Sequence, residues 1–118
     1  MEVHFVHQND KGTYAVLGIF IEQGKHNEMM DRLPSFRAAR GEEPYGDPID
    51  YNELMPNRKS YFYYNGSLTT PPCSEGVAWI VLQEPVIASR KQIDHFHNIL
   101  GFENNRPVQP GNAQLVVD

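Results

Sequence analysis

The 118 residues, with 40% of them hydrophobic, point to one globular domain with a modest core and argue against a disordered chain. The formal net charge of -5 and a pI of about 5.4, with no basic patch, argue against nucleic acid as a partner. No apolar run approaches the roughly 18 residues needed to cross a bilayer, so no membrane partner is expected. No secretory signal is visible at the N-terminus, and the chain starts inside what reads as a strand.

Glu2 to His7 reads as a strand, and Asn9-Asp10-Lys11-Gly12 as a hairpin turn. Side chains alternate along a strand, so Glu2 and His4 share a face and His7 points the other way. A histidine on an apolar strand is commonly a satisfied core residue. The competing reading makes His4 a metal ligand, with Glu2 fixing its tautomer through the other ring nitrogen. Tyr14 to Ile21 is near-continuously apolar, as in the middle of a sheet.

His26 to Leu33 has weak helical spacing, and Pro34 is expected to end it. Ser35 to Pro48 reads as loop, and Pro48 to Leu54 as a short strand running into a turn. Ser60 to Tyr64 is an aromatic strand that Asn65-Gly66 is expected to break.

Ser67 to Pro72 is a stiff loop, with two prolines following Thr69 and Thr70. Adjacent hydroxyls there can orient a bound water at a metal with one open position, or merely bond the local backbone. Val77 to Leu82 is a strand around Trp79. Ser89 opens a helix with Gln92 as capping-box partner, and Gly101 stops it after Leu100. Gln114 to Val117 is a candidate last strand.

His95-Phe96-His97 looks like a chelating pair. In a helix, however, residues two apart lie about 200° around the axis, so the two rings do not converge on one ion. His26 reads as a surface residue. The fold class is mixed α/β: a mainly antiparallel central sheet with peripheral helices, its links mostly too short for parallel crossovers.

Four segments, in order, resemble the α-class carbonic anhydrases, in particular the bacterial and secreted members. They are Glu2-Val3-His4-Phe5-Val6-His7, Ala15-Val16-Leu17-Gly18-Ile19-Phe20, and Gly66-Ser67-Leu68-Thr69-Thr70-Pro71-Pro72-Cys73-Ser74-Glu75-Gly76-Val77 running on through Trp79-Ile80-Val81-Leu82. The fourth is Asn104-Asn105-Arg106-Pro107-Val108-Gln109-Pro110. The resemblance covers almost the whole chain and identifies residues 1–118 as the C-terminal half of such a domain.

It implies that His4 is a zinc ligand and Glu2 its hydrogen-bonding partner. It implies that Thr69 holds the zinc-bound hydroxide, with Thr70 beside it. Val6, Val16, Leu68, Val77 and Trp79 would form the pocket for carbon dioxide, and His7 would be a buried structural residue. The implied reaction is reversible hydration of carbon dioxide to bicarbonate and a proton, by zinc activation of water.

The family's other two zinc histidines, which precede Glu2 in its members, are absent. Catalytic zinc takes three protein ligands plus water. The expectation is an incomplete fold lacking its N-terminal strands, inactive alone unless complemented by the missing half. The alternative is a non-catalytic fragment that self-associates through its open sheet edge, as a dimer, or binds a protein partner. Cys73 resembles a cysteine that is disulfide-bonded to the missing half in bacterial and secreted members, which implies a periplasmic or secreted parent protein.

Overall fold

The structure is a computed structural model that describes residues 1–34, 37, 48–111 and 115–118. Its framework is a four-stranded sheet ordered β1-β2-β4-β3, built from β1 (Glu2–Gln8), β2 (Tyr14–Gln23), β3 (Tyr61–Ser67) and β4 (Glu75–Ala88). Two helices, α1 (Glu28–Arg32) and α2 (Arg90–Leu100), complete the mixed α/β fold among the described residues.

The two hairpins are antiparallel, β1 with β2 and β3 with β4. They join through a parallel pairing of β2 with β4 at the centre. Short links explain the hairpins. The parallel pair is possible because the whole middle of the chain lies between its strands. Central position, with β1 on one side and β4 on the other, goes with an almost continuously apolar β2 in which Val16, Ile19 and Ile21 are buried.

Several elements differ from the sequence reading. β4 runs well beyond Val77–Leu82 and includes Pro85. The register passes from Ile19↔Leu82 to Ile21↔Val86, so β4 bulges by two residues, and Pro85 lies where no ladder donor is required. β3 continues through Asn65 and Gly66, which pair with Ala78 and Val77. Gly66 is not a break. A Cβ there would stand 3.1 Å from Trp79 Cδ1, so the glycine admits the indole.

The strand expected over Pro48 to Leu54 is instead a 3-10 turn, Tyr51–Leu54. Asp50 caps it, accepting from the Asn52 backbone N–H at 2.9 Å and Asn52 Nδ2 at 2.7 Å. These bonds, the backbone one foremost, hold the Asp50 carboxyl below the usual carboxylate range.

The loop expected from Ser35 onward is contradicted at Arg37. Pro34 and Arg37 are helical, and the Arg37 N–H donates to the Leu33 carbonyl at 3.1 Å. Proline is well suited to a first helical position, where no N–H is required. The rest of that loop, residues 35, 36 and 38–47, lies outside the described residues, as does Gln114 of the expected last strand. Val117 makes a single antiparallel bridge to Tyr63.

Packing separates by face. On one side α1, α2 and the 3-10 turn cover the sheet. Ile21, Met29, Met30, Leu33, Leu54 and Ala88 are buried there, with Val3 and Phe5 packed against them. α2 has the expected capping box and ends on Gly101 in the left-handed region at φ 70°.

Gln92 does more than cap. Its Oε1 accepts from the Asn27 N–H at 3.1 Å and the Ser89 N–H at 3.0 Å. Its Nε2 donates to the Asn27 carbonyl at 2.7 Å and to Asp31 Oδ1 at 2.8 Å. One buried amide thus ties α2 to α1.

Candidate functional site

The opposite face of the sheet carries the residues of interest, and strand alternation puts them there. Register aligns them in two rows. Val6 pairs with Val16, Val16 with Trp79, and Trp79 with Tyr64. His4 pairs with Gly18, Gly18 with Val81, and Val81 with Phe62.

Glu2 and His4 sit side by side on β1. Glu2 Oε1 lies 3.1 Å from His4 Nε2. That is ion-pair distance but off the line of the ring N–H, so the buried Nε2 has no aligned hydrogen bond. Because the carboxylate faces Nε2, the nitrogen left for any metal is Nδ1. The His4 ring meets Trp79 edge-on, with centroids 4.8 Å apart.

Trp79 is fixed from three sides. It stacks on Tyr64 at 6.1 Å, lies over Gly66, and donates Nε1–H to the Ser67 carbonyl at 2.9 Å. Val16, Val77, Trp79 and Val81 form one buried cluster, with Tyr14, Tyr64 and Leu68 against it. Four of the five expected pocket residues therefore lie in one apolar wall. Val6 does not: it is 56% exposed.

Tyr64 adds an electrostatic mark that the sequence reading missed. Burial raises its phenol pKa above the ordinary value, and the charge of Glu2 raises it further.

Thr69 and Thr70 are exposed, in the loop joining β3 to β4. That loop is closed by the Leu68 N–H donating to the Ser74 carbonyl and the Cys73 N–H to the Thr70 carbonyl, both at 2.9 Å. Cys73 is a free thiol at φ 56°.

His7 is exposed, with Nδ1 3.0 Å from the Phe5 carbonyl, which corrects the expectation of a buried residue. The reason is its position. β1 is the last strand of the sheet, and no described strand lies beyond it. His26 is a surface residue, paired with Asp31 at 2.9 Å. His95 and His97 sit on α2, on the helical rather than the strand spacing.

Among the described residues no three of His, Cys, Asp or Glu are grouped to hold a metal ion. His4 with Glu2 has the chemistry of one zinc ligand and its partner, but one imidazole is not a catalytic set. A complete zinc site therefore does not fit the residues described.

Comparison with known proteins agrees with this geometry. The family model described as eukaryotic-type carbonic anhydrase matches residues 1–118. A carbonic anhydrase of Klebsiella pneumoniae is 42% identical over all of this chain, which covers 49% of that protein. One from Neisseria gonorrhoeae is 40% identical over all of the chain, covering 47%. Among solved structures, an α-carbonic anhydrase of Thermovibrio ammonificans in complex with the inhibitor sulfanilamide superposes with a TM-score of 0.84. It is 44% identical over 98% of this chain and 52% of its own. The chain spans about half the length of the curated relatives it matches.

Proposed function

The chain belongs to the carbonic anhydrase family, and we propose that it supplies the C-terminal half of a zinc enzyme that hydrates carbon dioxide to bicarbonate. The observation that carries this reading is the Glu2–His4 pair on the same sheet face as the apolar wall of Val16, Val77 and Trp79. Zinc, once held by a full ligand set, supplies an activated water in this chemistry.

This chain's part is to orient and exclude. Glu2 fixes the His4 ring so that Nδ1 is presented. The wall, with Leu68 at its margin, offers carbon dioxide an apolar surface that a hydrated ion does not favour. Thr69 and Thr70 offer hydroxyls on a loop stiffened by two prolines, where the Thr69 oxygen would accept a hydrogen bond from the reacting hydroxide and so orient it. The remaining ligands come from the family's other half, which this chain does not contain. We place the parent protein in the periplasm or outside the cell, on the strength of Cys73 as the pairing partner of a cysteine in that half.

The test is complementation. The chain is mixed with the separately prepared N-terminal half of the Klebsiella pneumoniae relative, and carbon dioxide hydration is followed. We expect activity in the mixture that His4→Ala abolishes and His97→Ala leaves intact. The reverse pattern would contradict the ligand assignment.

The position of β1 as an uncovered end strand favours a second reading, in which the chain acts without catalysis by pairing that edge with a copy of itself or another protein.

A further inference from the structure

An isolated glycine inside a strand marks either a bulge or a close approach. Gly18 sits in the middle of β2, in regular register with His4 on one side and Val81 on the other. Its φ is not positive, so the backbone alone does not call for glycine.

Space does. A Cβ at residue 18 would stand 2.7 Å from Glu2 Oε1, inside any real contact distance. Its next neighbours, Val81 Cγ2 at 3.4 Å and Trp79 Cζ3 at 3.7 Å, would be in ordinary contact. The group that a methyl would evict is thus the carboxylate.

We propose that Gly18 is a positioning residue: the gap left by its missing side chain is the slot in which the Glu2 carboxylate lies against His4. This rests on the reading of His4 as the imidazole of the site. Glu2 pairs across the strands with Phe20 and His4 with Gly18, so the Glu2 side chain must lean along β1, over residue 18, to reach the ring. The carboxylate stands 3.1 Å from the buried Nε2, which has no hydrogen bond of good geometry among the described residues. With a methyl in the slot, the flexible carboxylate swings toward solvent, to which its side chain is already 33% exposed, and the ring is no longer steered.

The tautomer of His4 reads this directly, without metal. Long-range nitrogen–proton correlations of the neutral ring are recorded in the full 118-residue chain. The proton is expected on Nε2, facing Glu2. Gly18→Ala and Glu2→Ala should both shift the ring toward the other tautomer, and the double variant should go no further than either. An unchanged His4 tautomer in Gly18→Ala would overturn the proposal.

Urea midpoints provide a second reading should Gly18→Ala fold poorly. Its destabilisation should shrink in the Glu2→Ala background, because the evicted group is gone. An equal loss in both backgrounds would mean that the slot is not for Glu2. A steered tautomer in a chain that fails complementation would refute the zinc reading and leave the slot standing.

Discussion

The two faces of one sheet are in different states of completion. The helix-covered face is closed by the chain's own elements: Met30, Leu54 and Ala88 are fully buried, and a buried glutamine joins the two helices. The opposite face has a well-packed wall around Trp79. Its outermost strand nevertheless leaves Val6 56% exposed. Each face has a buried cluster, but only the first is covered by helices, and the candidate site residues lie on the second. The lesson is that a chain spanning about half the length of its relatives can keep a core while its candidate site is a single wall.

The sharpest break of this comparison is a matched pair of truncations. Leu54→Ala opens a cavity in the closed core and should cost about 2–5 kcal/mol. Val6→Ala, on the open face, should stay within about 0.5 kcal/mol. Chemical denaturation of both variants measures the contrast, and equal losses would mean that the open face is covered in solution. Smaller, but on the same closed face, Gln92→Leu keeps the volume and leaves the Asn27 and Ser89 N–H groups without their acceptor. A loss of about 1–3 kcal/mol is expected by denaturation.

The smallest effect belongs to the site face. The Tyr64 pKa is raised in the fold, so its contribution is fully present below the ordinary tyrosine value of about 10 and is lost as pH rises through the folded value. Tyr64→Phe should flatten the alkaline fall in stability. Glu2→Gln should lower the Tyr64 titration only in part, because burial is the larger cause. Ultraviolet titration of the phenol checks the sign.

The sequence disclosed what depends on near neighbours. Alternation along β1 places Glu2 and His4 together, and the α2 capping box follows from Ser89 and Gln92 at the right spacing. What depends on distant partners was hidden. Nothing near Gly66 or Pro85 says that β3 and β4 continue through them, because the Trp79 indole and the β2 register decide that. Nothing near Gln92 says that its amide reaches Asn27 and Asp31 across more than sixty residues of chain. Gly18 was visible as a lone strand glycine, yet its use appears only once Glu2 is seen leaning over it. His7 was misplaced because β1 is an end strand, with no described strand beyond it to cover that ring.

The central claim is that this chain holds one imidazole of a metal site and not the set. Zinc content by elemental analysis, paired with mass in solution, tests it most directly. We expect no tightly bound zinc in the monomeric chain; a dimer without zinc would favour the edge-pairing reading over catalysis. One tightly bound zinc per monomer would contradict the claim, because ligands would then have to come from residues of this chain other than His4.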